Sequence, residues 1–574
     1  MSFVSPNRFT TRPEIQGTFG VVASTHWIAT AVGMGILGRG GNAFDAGVAT
    51  AFTLQIVEPH LNGPAGDVPI MVHNGKRGQT EVICGQGPAP AGATMAHYKG
   101  LGLDLVPGTG LLAPCIPGCF DALMLMLRDY GTMRLEDVLA AAIGYARNGH
   151  PLVERASATI ATVKDQFLNH WPTSAALWLD QGNVPPPDAM FSNPVLADTY
   201  ERVLRESSGP GGREAEIERA RRVWSDGFVA DAIETFCRTQ DVMDVSGRAH
   251  RGVLTGADMA GWSATVELPI EYDYGRYRLQ KPGPWCQGLA ALQQLALLKG
   301  FPLDGLDPTG PDFIHWQVEA AKLAFADRDT FYGDPDFVEV PVGILLSDAY
   351  NAKRRALIGD RASLEQRPGR IPGYGKVLEA RVSEGGRTAV GSGGAGEPTV
   401  GQLGESKGDT VHFDIIDRFG NMVSATPSGG WLQSSPTIPK LRFCLGTRAQ
   451  MFTMDEQHPA CRGLAGRGPA GPMDHAVLPP PCPCGLQSPG SDRRRGLAHR
   501  AFPSSFWPRA ARPGVLVVEG RVPHATIKDL RRRGHVVEVG AEWSEGRLVA
   551  ASRDKDRMKA AANPRGMQGY AAGR

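Results

Sequence analysis

Gly408-Asp409-Thr410-Val411-His412-Phe413 is the stretch on which the reading of this chain turns. It sets a threonine at the head of a strand-like run, directly after a long Gly/Ser/Glu-rich stretch. Cutting the Asp409–Thr410 peptide bond leaves Thr410 with a free α-amino group beside its hydroxyl. Such a residue is a nucleophile that carries its own general base, which is what amide cleavage and acyl transfer require. Asp409 and Thr410 are thus the expected cleavage site, and Thr410 the expected catalytic residue. Beyond it, Val411 to Asp417, the turn Arg418-Phe419-Gly420-Asn421 and Met422 to Thr426 predict a β-hairpin. Thr410 would then sit on a sheet strand. The two-residue strand period turns His412 to the same side, as packing or hydrogen-bonding support.

Working outward, residues 365–409 lose apolar periodicity and collect Gly, Ser, Pro and Arg, which predicts an extended linker ending at Thr410. Nearer the amino terminus, a first helix carries apolar spacing through Ala31, Met34 and Leu37 and stops at Gly40-Gly41-Asn42, read as a helix-terminating turn. Asp45 to Val57 is small and apolar all round, as a buried helix is. Amphipathic helices are expected over 134–148, with Leu135, Val138, Leu139 and Ile143 inward, and over Ile314 to Tyr332. Ala264, Val266, Leu268 and Ile270 alternate as in a strand. Strands and helices are interspersed.

The composition narrows the function classes. A chain of 574 residues, 42% hydrophobic and 21% charged, has ample length for a large core. A formal charge of +1 leaves no electrostatic footprint for nucleic acid or an acidic membrane surface. Met1 to Gly20 lacks the apolar core of a signal peptide, and no apolar run approaches the roughly 18 residues of a spanning helix. Nine cysteines at irregular spacing fit a reducing compartment, so a cytoplasmic location is expected. Cys115-Ile116-Pro117-Gly118-Cys119 has no second ligand pair and is not read as a metal site. Glu58-Pro59-His60 likewise has no further ligands near it in sequence. His315 and Glu319, a helical turn apart, have metal-ligand spacing but read as a solvated helix face.

Three ordered motifs carry a resemblance. They are Gly20-Val21-Val22-Ala23-Ser24 through Gly40-Gly41-Asn42-Ala43-Phe44-Asp45-Ala46 to Val57-Glu58-Pro59-His60 with Gly63 and Gly66; then Ala320-Ala321-Lys322-Leu323-Ala324-Phe325-Ala326-Asp327-Arg328; then Gly408 to Phe413 with Asp417 and Gly420-Asn421. On these the chain resembles the γ-glutamyltransferase family of N-terminal-nucleophile hydrolases, including the related glutaryl-cephalosporin acylases. The resemblance implies an α+β fold, a four-layer αββα sandwich built from two subunits of one proenzyme. A large subunit, 1–409, and a small one, 410–574, would form a heterodimer acting on a small-molecule amide, with no cofactor, metal, nucleic acid or membrane involved.

The resemblance also assigns site residues. Ser428 stands where the family has a hydroxyl that hydrogen-bonds the nucleophile. The family's arginine for the substrate α-carboxylate falls on Gln86, its asparagine on Gly430 beside Gly429, and its amine-binding aspartate near Gln450. A bidentate charge partner is thereby missing. Arg448, Arg442 and Arg328 are the candidates to take a substrate carboxylate instead. The expected activity is cleavage of a glutaryl- or γ-glutamyl-like amide through an acyl-threonine intermediate, of cephalosporin acylase type. A glutathione-acting transferase is the alternative, and an inactive binding protein the alternative from another class.

The last alternative arises from residues 455–501, with Cys461, Cys482, Cys484, Pro479-Pro480-Pro481 and Arg493-Arg494-Arg495 but almost no apolar period. Here the family supplies a Thr-Thr-Leu-Ser-like segment and a Pro-Gly-Gly oxyanion turn. Gly490 is the surviving candidate for that turn. Codons for Met473-Asp474-His475-Ala476 with C at the ambiguous third positions, read one nucleotide later, give Trp-Thr-Thr and a CNG codon. The stretch therefore reads as translated out of frame, through sequencing error or mutation. Resequencing the gene is expected to find compensating insertions or deletions around codons 455–501; an unbroken frame would refute the shift.

Overall fold

The computed structural model describes residues 14–374, 410–456, 458–461, 497–499, 502, 504–509, 511–546, 548–563, 565 and 568–574. Asp409, most of the expected linker, Gly490 and most of the 455–501 stretch lie outside the described residues.

A seven-stranded antiparallel sheet organises the molecule. In chain order its strands are β1 (Gly20–Ser24), β2 (Val68–Asn74), β3 (Gln79–Gly85), β4 (Thr265–Glu267), β5 (Phe413–Asp417), β6 (Met422–Ala425) and β7 (Tyr570–Gly573). Across the sheet they run β7-β1-β5-β6-β2-β3-β4. Strands from before and after Thr410 are thus interleaved, and β5 lies between β1 and β6. The predicted hairpin is present, with Ile416 opposite Met422 and Gly420 at positive φ in the turn. Thr410, however, lies ahead of β5 instead of on the strand, because regular pairing begins at Phe413.

Alternation sorts the strand side chains between two cores. Val22, Val68, Ile70, Val72, Ile83, Val411, Phe413, Ile415, Val423 and Ala425 face a helical layer. Val21, Ala23 and Ile416 face the other way, toward Val549, Met558, Ala560 and Ala562 of a three-stranded sheet that includes Ile15–Gly17. The described stack is therefore helix, sheet, sheet.

The helical layer is led by α1 (Trp27–Gly38), α2 (Ala43–Val57), α3 (Cys119–Tyr130) and α4 (Leu135–Asn148). As expected, every residue of α2 is buried. The phase of α1 differs from the expected one: Ile28, Ala29, Gly33, Ile36 and Leu37 are buried, whereas Ala31 is exposed and Met34 half-buried. The reason is close approach at Gly33, where a Cβ would meet Thr50 Oγ1 of α2 at 2.4 Å. The small residue decides which side faces inward. The Gly40 turn is as read, with φ of 98° and Asn42 capping α2. In α4, Ala142 and Ala146 join the expected inward face and Ile143 is only half-buried. The expected strand over 262–280 is β4 followed by a separate hairpin, Ile270–Tyr274 with Tyr277–Lys281.

Two further differences concern α5 (Pro311–Phe331), buried on nearly every side instead of on one face. It packs on the helix Gly288–Leu298 and against the parallel unit Val515–Glu519, His524–Arg532, Val536–Gly540. His315 and Glu319 are consequently buried, contrary to the solvated face expected. His315 Nδ1 meets His535 Nε2 at 2.9 Å, and its Nε2 donates to Gly359 O at 2.8 Å. Glu319 accepts Lys322 Nζ at 2.6 Å and Arg367 Nη2 at 3.0 Å. His315, Glu319 and His535 do converge with ligand-like spacing. Two cations already neutralise Glu319, so a metal ion there would be repelled. Among the described residues no helix is long and apolar enough to cross a membrane.

Asp417 joins the hairpin to the helical layer. Its carboxylate accepts Phe419 N at 2.9 Å and Asn421 N at 3.0 Å in the turn, and Ala43 N at 2.9 Å at the start of α2. The negative charge also sits favourably against the positive end of the helix. Replacing Asp417 with Ala leaves these buried donors unpaired and is expected to cost about 3 kcal/mol. Urea unfolding should show a lowered midpoint with unchanged slope. Asp414→Ala, which removes a half-buried contact to His412 at 3.3 Å, should cost under about 1 kcal/mol.

Candidate functional site

The sheet register brings the separately predicted residues into one line. Phe413 stands opposite Ala425, and continuing that pairing toward the strand ends sets His412 opposite Thr426 and Thr410 opposite Ser428. The first of these is visible as a hydrogen bond between His412 Nδ1 and Thr426 Oγ1 at 2.8 Å. Ser428 bridges Asp67, with Ser428 N donating to Asp67 O at 2.9 Å and Asp67 N to Ser428 O at 2.8 Å. Val68 pairs with Gly85, which sets Asp67 opposite Gln86. Only Asp67 and Ser428 are bridged directly; extended past the last paired residues, the strand register lines up Thr410, Ser428, Asp67 and Gln86 in one row across four adjacent chain segments. Their odd- or even-numbered strand neighbours Val411, Val68 and Gly85 mark the opposite face, where Val411 and Val68 enter the helical core. The row thus lies on the face away from α2.

Each local conformation has a cause. Gly429 and Gly430 adopt φ of 75° and 67°, turning the chain sharply after Ser428. Gly63 and Gly66 lie against that turn, where a Cβ would meet Gly430 O at 2.3 Å and Ser428 O at 2.2 Å. The predicted glycines are therefore backbone spacers. They let two loops touch at the row.

Ser428 is buried, and its hydroxyl has no hydrogen-bond partner among the described residues. An unpaired buried hydroxyl is costly and free to serve a reacting group. Arg448, on the short 3-10 turn Arg448–Met451, forms a two-pronged ion pair with Asp67: Nε with Oδ2, and Nη2 with Oδ1 at 3.0 Å. Its Nη1 is buried and has no partner among the described residues. Trp431 underlies the guanidinium at 5.4 Å. Gln86 is buried at the end of β3. Cys115 lies beside the pair; burial and then the Asp67 charge push its thiol pKa up, so it stays neutral.

Other predicted residues fall elsewhere. Arg328 is bound to Asp329 at 2.7 Å and stacked over Phe325. Arg442 lines a separate cavity with His150, Trp178 and Asn193. Gln450 is occupied structurally, donating to Thr447 Oγ1 at 3.0 Å and accepting Trp507 N at 3.0 Å. Cys115 and Cys119 are both buried free thiols. Glu58 accepts Thr25 Oγ1 at 2.6 Å within the core. Asp67 is the residue that sequence reasoning missed. Its signal was an acid immediately after Gly66 at the head of an apolar strand, but its partner Arg448 is remote in sequence.

Comparison with known proteins identifies the family. The gamma-glutamyltranspeptidase family profile matches residues 29–469. The glutathione hydrolase-like YwrD proenzyme of Bacillus subtilis (strain 168) is 27% identical over 96% of this chain and 98% of its own. The acylase ACY 1 proenzyme of Pseudomonas sp. (strain SE83) is 28% identical over 91% of this chain and 88% of its own. Among solved structures, LmbA2991HD is 48% identical with a TM-score of 0.88, covering 99% of this chain and 100% of that one. The cephalosporin acylase from Bacillus halodurans is 25% identical with a TM-score of 0.79, covering 100% and 98%. With a family match over most of its length and full-length likeness to such proteins, this chain is an enzyme of the gamma-glutamyltranspeptidase family.

Proposed function

We propose that the chain matures by cleavage before Thr410 into paired 1–409 and 410–574 fragments and acts as an acylase on small amides, with Thr410 as nucleophile. What supports this reading is the sheet register which, extended past the last paired residues Phe413 and Ala425, runs Thr410 toward Ser428, whose hydroxyl has no partner among the described residues. Thr410 Oγ attacks the amide carbonyl while its own α-amino group takes the hydroxyl proton. The tetrahedral intermediate collapses, the C–N bond breaks, and the leaving amine carries that proton away. Water, or an acceptor amine, then attacks the acyl-threonine ester and regenerates the hydroxyl. Ser428 Oγ holds the Thr410 amino and hydroxyl groups in line.

Gln86 favours an acylase of the cephalosporin type over a glutathione-acting enzyme, since a neutral amide stands where a charged partner for an α-carboxylate would be needed. In this reading the helix, sheet, sheet stack is the described part of an αββα sandwich, and its chemistry calls on protein groups alone. The seven free, buried cysteines among the described residues suit the cytoplasm.

Intact mass and amino-terminal sequencing of purified protein test the reading. Two fragments are expected, one starting Thr410-Val411-His412, with Thr410→Ala remaining uncut. Uncut protein in both samples would favour the inactive binding protein. Ser428→Ala should mature slowly and lose about 2 kcal/mol of transition-state stabilisation, roughly thirtyfold in kcat on an acyl anilide.

A further inference from the structure

The Asp67–Arg448 pair has a consequence for the acyl group, resting on the Thr410 reading. The two side chains are 8% and 6% exposed and line a narrow cavity with Gly66, Gly87, Cys115 and Gly429. Gly429 directly follows Ser428, so the cavity borders the catalytic row. It holds only about 10 Å³, the size of a single small polar group.

Its electrostatics are settled by the pair. Both Asp67 oxygens are taken by Arg448, and two of the three guanidinium nitrogens are spent on Asp67. The charges cancel within the cavity wall, and the neighbouring Cys115 thiol is neutral. What is left over is Nη1, buried in the wall and without a partner among the described residues, a donor without net charge behind it. A carboxylate entering here would gain that hydrogen bond but meet the Asp67 carboxylate in a buried setting, where like charges repel strongly. An uncharged acceptor gains the bond without the repulsion. Rejection by a fixed like charge is a common source of specificity.

We propose that the acyl group carried by Thr410 ends in an uncharged hydrogen-bond acceptor, a carboxamide or ketone oxygen, bound by Arg448 Nη1, and that Asp67 excludes acyl groups ending in a carboxylate. Asp67 and Arg448 are thus specificity residues, and the glutaryl and γ-glutamyl groups expected from the resemblance are poor donors.

The test is a pair of ligands differing only at the acyl end, glutaric acid monoanilide and its primary amide, titrated calorimetrically into the full-length Thr410→Ala chain, which cannot form the ester. The amide is expected to bind at least tenfold more tightly than the acid. In Thr410→Ala combined with Asp67→Asn, which frees the Arg448 charge, the ratio should fall at least tenfold. Equal or tighter binding of the acid to the Thr410→Ala chain overturns the proposal, as does failure of both ligands to bind. Because that first ratio decides alone, poor folding of the Asp67→Asn variant does not rescue it. A ratio unchanged in a folded Asp67→Asn variant also overturns it. A wild-type chain that stays uncut counts against Thr410, whereas a preference for the acid counts against the cavity.

Discussion

A methyl group on Gly66 would lie 2.2 Å from the carbonyl oxygen of Ser428, and one on Gly63 would lie 2.3 Å from that of Gly430. This near-contact of two main chains is the constraint on which the site depends. It lets Ser428 and Asp67 exchange backbone hydrogen bonds beyond the end of the regular strands. Through that bridge the pairing of β6 with β2 is carried past the end of the strands toward Gln86 on one side and Thr410 on the other. The same proximity brings Arg448 to Asp67. Any side chain at either glycine would have to open the seam, and the row of polar residues would lose its common register.

What could be read in the sequence follows from how locally each feature is encoded. The hairpin after Thr410 was legible because its turn residues and alternation sit within a short span. So was α2, whose small and apolar residues leave no polar face. The inward side of α1 was not, because it is fixed by Thr50 of another helix fitting over Gly33. His315 and Glu319 looked like surface residues because their partners His535 and Arg367 come from distant stretches. Asp67 and Arg448 illustrate the same limit in the site: each polar residue is unremarkable alone, and only the fold pairs them. Thr410 was read from the Gly/Ser/Glu-rich stretch and the strand-like run after it, and Ser428 and Gln86 through the resemblance; the register that relates them was legible only from strand pairing.

The charge distribution at the site differs in kind from one built around a lone arginine. Where the resemblance expects an unshared guanidinium, Gln86 supplies a neutral amide, and the buried guanidinium that is present is bound to its own carboxylate. Such a pair is costly to desolvate and is weak evidence for stability. Its placement beside the catalytic row makes recognition the better account of it.

The order of strands across the sheet bears on how this protein reaches its working form. Chain segments before and after Thr410 alternate in the sheet, with β7 against β1, β1 against β5 and β6 against β2. Neither segment owns a complete sheet, and every ladder joining them leaves an unpaired edge if one is missing. Assembly from two separately made pieces would have to begin from sticky, half-built sheets, whereas one continuous chain closes all three ladders within itself. On the proposed reading, a break before Thr410 would follow closure of the sheet. The peptide link ahead of Thr410 would then act as a tether during folding, dispensable once the strands have interlocked.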